Sequence, residues 1–350
     1  MKQIFYFLFC MIILSCSKQE NLQINSMHWE LQYSGNKSSI RGIDALDENN
    51  AWLSGSLGKY AITNDGGKTW VTDSVPGADS LDFRDIEVIS KDVVYLMSAG
   101  LGEKSNIYKT KDGGKSWTLQ KQNQHAEGFY DGFAFWDENT AILIGDPVGG
   151  SHFLLKTTDG GKNWNRIEPE KLAPLADGEI GGFAASGTTI EVNGDNVWFA
   201  TGGKVARVHH STDRGETWQV YSTPILQGGN STGIFSIDFR DDYRGVVVGG
   251  DYTKAENTGL TTAYTKDGGR NWTLPADTSI VTFSSCVQYI QNSNVLVAVS
   301  RSAKSFYSTD DGRSWSAFGG HALYTLSFAK NGKSAWAAGP NGKVAKLIIE

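Results

Sequence analysis

The sequence predicts an all-β fold, a seven-bladed β-propeller. Three observations point to it. Six copies of an eight-residue motif, Ser/Thr-x-Asp-x-Gly-x-x-Trp, recur along the 350 residues: Thr63–Trp70, Thr110–Trp117, Thr157–Trp164, Ser211–Trp218, Thr265–Trp272 and Ser308–Trp315. Their tryptophans are 47, 47, 54, 54 and 43 residues apart, the length of one four-stranded blade. Between the motifs, short apolar runs alternate with turn-forming residues, which is how antiparallel strands read in sequence.

The first unit shows the plan. Ile40–Leu46 reads as an inner strand, Asp47–Asn50 as a turn, Ala51–Gly55 as a second strand, Ser56–Gly58 as a turn and Lys59–Thr63 as a third strand. The motif then turns the chain into a fourth strand at Thr69–Val71. Asp65 is suited to accept bonds from backbone N–H groups further along the loop, and Gly67 to take a positive φ. Trp70 is expected to fold back over the hairpin, where its loss would cost about 3–5 kcal/mol. The motif aspartates therefore read as structural. Later units are expected to begin near Leu81, Gly128, Glu179, Thr232, Ile280 and His321. The seventh has only three strands before the chain stops at Glu350. His28–Tyr33 reads as the missing fourth, with Trp29 in the place of a motif tryptophan. The sequence thus divides into 1–15, 16–26 and a propeller over 27–350, with the ring sealed by its own N-terminal strand.

The first two segments have their own chemistry. Lys2 precedes an apolar run, Ile4–Leu14, too short to span a bilayer and of the length of a secretory core segment. It ends Ile13-Leu14-Ser15-Cys16, which resembles a bacterial lipobox, with Cys16 the lipidated residue and 16–26 a polar tether. The expected location is the cell envelope, lipid-anchored at a membrane. Of the three cysteines, Cys10 lies in the leader and Cys16 takes lipid, so Cys286 remains alone. No intramolecular disulfide is expected, and Cys286 reads as a buried small hydrophobe.

A net charge of −6 and the absence of any Lys/Arg run longer than a pair argue against a nucleic-acid partner. No phosphate loop or dinucleotide fingerprint is present, and the six histidines, including adjacent His209 and His210, do not fall at zinc spacing. No cofactor and no metal are expected, and a monomer is.

If the first strand of each unit is innermost, its start and the loop between second and third strands share one rim, opposite the motifs. That rim collects the unusual residues. Candidate binding residues are Arg41, Arg84, Asp85, Tyr130, Arg207, Tyr252 and Lys254, with Lys204, Arg301 and His321 nearby. Candidate catalytic carboxyls are Asp131, Asp146, Glu179 and Asp251, since acid–base work needs two groups within reach of one bond. Three outcomes fit such a rim: a hydrated salt-bridge network, a binding surface for a protein or glycan, or a carbohydrate-active site, hydrolase or lyase.

Arg41-Gly42-Ile43-Asp44, the short strand around Trp52 and the motif Asn64 to Trp70 resemble the repeat of photosystem II assembly/stability factor-like propellers, built from BNR/Asp-box repeats. The resemblance runs from about Trp29 to Leu347. It implies a seven-bladed, non-catalytic protein that helps assemble a membrane complex. Bacterial relatives are also labelled oxidoreductase, but the chain carries no flavin or nicotinamide motif. Sialidases share the motif, but they carry Phe/Tyr-Arg-Ile-Pro where this chain has Arg41-Gly42-Ile43.

Overall fold

The computed structural model describes residues 24–330 and 334–350; the leader and Cys16 lie outside them. The described residues form seven sheets whose first strands pack side by side around a central axis. Blade 1 consists of Ile40–Ala45, Ala51–Gly55, Lys59–Thr63 and Val71–Ser74, ordered from the axis outward. Blades 2 and 3 repeat it with inner strands Phe83–Val88 and Tyr130–Phe135. Blade 4 begins at Ile190–Asn193, blade 5 at Gly229–Phe239, blade 6 at Cys286–Tyr289 and blade 7 at Thr325–Phe328. In blade 5 the outer strand shrinks to one bridge, Tyr264 to Thr273.

The ring closes as expected. Met27–Tyr33 pairs antiparallel with Lys343–Ile349, Met27 opposite Ile349 and Tyr33 opposite Lys343. Trp29 is buried, stacks on Phe318 of blade 6 at 5.8 Å, and donates from Nε1 to Ser305 Oγ at 2.8 Å. Pairing the two ends leaves no open ring edge at this seam.

Each motif turn is fastened in one way. In the first copy, Thr63 Oγ1 donates to Asp65 Oδ1 at 2.9 Å and accepts from Gly67 N at 2.9 Å. Asp65 accepts from Thr69 N at 2.9 Å and from Thr69 Oγ1 at 2.6 Å. The Thr69 bonds, side chain first, hold the Asp65 carboxyl down at about 2. The last copy does the same from Ser308, whose Oγ donates to Asp310 Oδ1 at 2.9 Å. The tryptophans are less uniform than expected. Trp164 and Trp315 are buried, whereas Trp70, Trp117, Trp218 and Trp272 are half-buried. The deeper aromatic payload comes from second strands, as with Trp52, Tyr95, Trp198 and Trp336. The core is therefore a set of layers between neighbouring sheets, such as Trp52, Tyr60, Phe83 and Leu96 between blades 1 and 2. Cys286 is fully buried, and burial raises its thiol.

One expectation about the blades is corrected. Glu179 does not start blade 4. Glu179–Ile180 is a two-residue strand on Gly202–Gly203, which in turn pairs with the inner strand of blade 5. The inner strand of blade 4 comes ten residues later. The connection 167–189 is long because it crosses the axis. Ser186 Oγ donates to Ser285 O at 2.7 Å in blade 6, and Ser186 O accepts from Thr325 Oγ1 at 3.3 Å in blade 7. Thr188 Oγ1 meets Ser236 Oγ of blade 5 at 2.6 Å. Arg84 Nη1 of blade 2 donates to Ala184 O at 3.4 Å, and Arg41 Nη1 of blade 1 reaches Ala185 O at 3.5 Å. Gly181 and Gly182 N–H groups face Asp146 and Asp131 of blade 3. A single connection thus touches every blade and plugs the channel between its two rims.

Candidate functional site

Four inner strands carry the same irregularity. Pairing slips by one residue between Ile40 and Gly42, Phe83 and Asp85, Tyr130 and Gly132, and Ile234 and Ser236. The residues squeezed out of register are Arg41, Arg84, Asp131 and Phe235. A bulge re-aims the side chain it carries. All four line one cavity of about 380 Å³ above the plug, within the size range of small-ligand pockets.

The cavity has two electrical ends. Arg41, Arg84 and Arg301 form one. Burial first, then the neighbouring guanidinium of Arg84, and more weakly that of Arg301, depress the Arg41 pKa, so positive charge is crowded there. Arg84 Nε pairs with Asp82 at 2.8 Å, and Arg41 lies over the Tyr324 ring at 4.8 Å. Asp131 and Asp146 form the other end. Asp131 is 2% exposed, and its Oδ2 has no hydrogen-bond partner among the described residues. Burial, then the charge of Asp146, push the Asp131 carboxyl well up; burial raises Asp146 also. The rest of the wall is largely aromatic, with Phe129, Phe183, Phe235, Phe283 and Tyr252. Phe183, from the plug, stacks on Phe235 at 3.8 Å.

The sequence candidates are thus divided. Arg41, Arg84, Asp131, Asp146 and Tyr252 meet in the cavity. Asp85 and Tyr130 neighbour two of them in sequence but point elsewhere. Asp85 is buried beneath the plug, accepting from Phe133 N at 2.8 Å and from Ile86 N at 2.8 Å. Tyr130 is fully buried and stacks on Phe153 at 6.3 Å. Asp251 fastens the short turn Tyr252–Lys254 by accepting from Thr253 N at 2.9 Å, with Lys254 exposed beside it at 4.0 Å.

Glu179 and Arg207 belong to a buried knot between blades 3 and 4. Arg207 holds Glu179 through both Nε, at 3.0 Å to Oε1, and Nη2 on Oε2. Thr201 Oγ1 donates to Oε1 at 2.7 Å and Ala176 N to Oε2 at 3.0 Å. His209 Nε2 lies 3.3 Å from Oε1 and His152 Nε2 3.6 Å from Oε2. The hydrogen bonds, led by His209 and Arg207, outweigh burial and hold the Glu179 carboxyl well below its usual range. His152, Glu179 and His209 gather at metal-ligand spacing. However, the Glu179 lone pairs are already filled by protein donors, and the Arg207 guanidinium would repel a cation. The knot is better suited to pin the plug. His210 faces away, donating from Nε2 to Asn196 Oδ1 at 2.8 Å and stacking on Trp198 at 4.7 Å.

Below the plug lies a second cavity of about 510 Å³, lined by Asp44, Glu87, Glu191, Asp238 and Lys330. Lys330 Nζ bridges Asp44 at 3.1 Å and Glu87 at 2.9 Å. Those two charges outweigh burial and raise the ammonium. Glu191 and Asp238 have no such cation among the described residues; burial pushes Asp238 up to about 7, and burial with the Asp238 charge raises Glu191.

Sequence reasoning did not single out Phe129, Phe183, Phe235 or Tyr324, and gave Arg301 only a supporting place. A usable signal was present. Ile40-Arg41-Gly42-Ile43, Phe83-Arg84-Asp85-Ile86, Tyr130-Asp131-Gly132-Phe133 and Ile234-Phe235-Ser236-Ile237 all put two residues between apolar ones at the inner strand's start. Strict alternation would put one, so each pattern announces a bulge.

Comparison with known proteins agrees with this architecture. Residues 85–190 match the family model of the photosynthesis system II assembly factor YCF48, and residues 306–317 match the BNR/Asp-box repeat. No curated protein matches the chain. Among solved structures, YCF48 bound to a D1 peptide superposes with a TM-score of 0.67 at 16% identity, covering 92% of this chain and 97% of the other. YCF48 from Cyanidioschyzon merolae gives 0.60 at 18%, covering 91% and 98%. The structure of U3-55K gives 0.64 at 13%, covering 92% and 98%, so overall shape alone does not separate functions. The repeat and the seven sheets taken together make the chain a seven-bladed Asp-box propeller, and its residues 85–190 are similar to the YCF48 family.

Proposed function

We propose that the protein is a lipid-anchored binding or assembly module of the cell envelope, whose cavity above the plug takes an acidic segment of a partner protein. The observation that carries this reading is the convergence of Arg41, Arg84 and Arg301 on one aromatic-walled cavity, with Asp82 the one carboxylate ion-paired to them among the described residues. Guanidinium groups suit carboxylates because their donors match the carboxylate fork. The aromatic wall supplies apolar area for the rest of a peptide. The solved YCF48 complex with a D1 peptide supports a peptide as the class of ligand. The leader ending at Cys16 supports the anchor.

The test is affinity capture from envelope extracts, followed by titration with peptides of the captured protein. Arg41→Ala with Arg84→Ala is expected to lose at least about tenfold in affinity, equivalent to about 1.4 kcal/mol, with the β-fold retained by circular dichroism. Binding that survives the double substitution would reject the cavity as the site. Cys16→Ser is expected to abolish incorporation of labelled palmitate and release the protein from membranes.

A further inference from the structure

The cavity is charged at both ends, and an acidic ligand uses only one of them. We propose that Asp131 and Asp146 form a cation subsite, so that the segment taken is dipolar: an acidic group against the arginines, and a lysine, arginine or free amine against the two aspartates. This rests on the peptide-binding reading above and names the chemistry of its ligand.

Three observations carry it. First, Asp131 stands at the bulge position that holds arginine in blades 1 and 2, so the blade 3 wall reverses sign at an equivalent place. Second, its Oδ2 is buried, lacks a partner among the described residues, and belongs to a side chain lining the cavity. Third, Asp131 Oδ2 and Asp146 Oδ1 converge: each lies within 3 Å of the point where a side chain on Gly181 would begin, at 2.7 and 2.8 Å. Only glycine fits there, so the plug backbone lets the two carboxyls come together. The protein's own donors there are the N–H groups of Gly181 and Gly182. Arg84 acts on Asp131 through its charge, but makes no hydrogen bond to it: its Nε donates to Asp82 and its Nη1 to Ala184 O.

A buried and a half-buried carboxyl facing two amides leave Asp131 Oδ2 without a donor. A protonated amine brings three N–H donors and one positive charge, and so satisfies both aspartates at once. A neutral amide in its place brings two donors and no charge. The aromatic residues of the wall give the ligand's methylenes and backbone an apolar surface. Selectivity for a cation near an acid would let the cavity reject purely acidic segments, for which the aspartates are repulsive.

The experiment is calorimetric titration of the full chain with two blocked peptides, acetyl-Phe-Glu-Ala-Lys-amide and acetyl-Phe-Glu-Ala-Gln-amide. The lysine peptide is expected to bind at least about tenfold more tightly. Asp131→Asn and Asp146→Asn should each bring the ratio of the two peptides' affinities, measured within each variant, to about one. Asp146 is less buried, so its variant decides the matter if Asp131→Asn fails to fold. Equal affinity of the two peptides for the unsubstituted protein would overturn the cation subsite and leave the peptide-binding reading standing. Failure of both peptides to bind would overturn both.

Discussion

Arg84 and Asp131 occupy the same position on neighbouring blades, each the bulged residue of its inner strand, and they deliver opposite charges to one cavity. The repeat thus supplies a set of equivalent sockets around the axis. What distinguishes one from another is the residue placed in each: arginine, arginine, aspartate, and phenylalanine in blade 5. Substitutions at these sockets change the lining without touching the sheet's hydrogen-bond ladder beyond the bulge itself.

Trp29 ties the closing strand to blade 6, through Phe318 and Ser305. Trp29→Ala should cost about 3–5 kcal/mol in chemical denaturation. It should also speed hydrogen exchange along Lys343–Ile349 more than in blade 3. Uniform protection across the ring would show that closure does not depend on this contact.

Glu179→Gln removes the charge that Arg207 is buried to meet. The expected loss is about 2–4 kcal/mol, discounted because Arg207 retains some solvent contact. Local opening should appear first in the exchange of residues 178–189, since the knot anchors the plug. A variant with wild-type exchange there would remove the knot's assigned role.

Asp238 gives stability a defined pH dependence. Its folded pKa, about 7, lies above the unfolded value near 3.8, so the folded state binds more protons across that window. Its contribution is present below about pH 4 and is lost as pH rises toward 7 and beyond. Asp238→Asn should therefore stabilise the protein at pH 8, by up to about 4 kcal/mol, and change little at pH 3.5. His152 and His210 act in the opposite sense. Burial depresses them to about 3 and about 4, so their contribution is full above pH 6.5 and is lost as pH falls through those values. Melting curves from pH 3 to 8 separate the two limbs.

Arg214 holds a φ of +56° where the motifs of blades 1, 2, 3 and 5 have glycine. Its ion pair with Asp195, at 2.7 Å, is solvent-exposed and offsets little of the left-handed strain. Arg214→Gly should raise stability by roughly 0.5–1 kcal/mol, read as a shift in denaturation midpoint.

The ring was legible in the sequence because its signals are local. The Thr63–Asp65–Thr69 fastening spans seven residues, and a strand pairing such as Met27–Tyr33 with Lys343–Ile349 follows once one unit is seen to lack a strand. The cavity was only partly legible. Arg41 and Arg84 stand out as charges at strand starts, but Arg301 joins them from a second-to-third loop that reads like any other polar turn. Glu179 misled because Glu179-Ile180 followed by Phe183 imitates a strand start, and nothing local says that the segment leaves its blade to cross the axis. The knot escaped notice for a related reason: His152, Glu179 and His209 sit on three separate elements, and no fixed spacing links them.

The plug's bonds to every blade give the propeller a floor. A ring with an open bore can be threaded; here the plug separates the cavity above it from the one below. A peptide entering above residues 181–189 must enter by an end or a bend and leave by the same opening. If the cavity takes a peptide as proposed, its ligand is a chain terminus or a tight loop, and a long strand does not slide through.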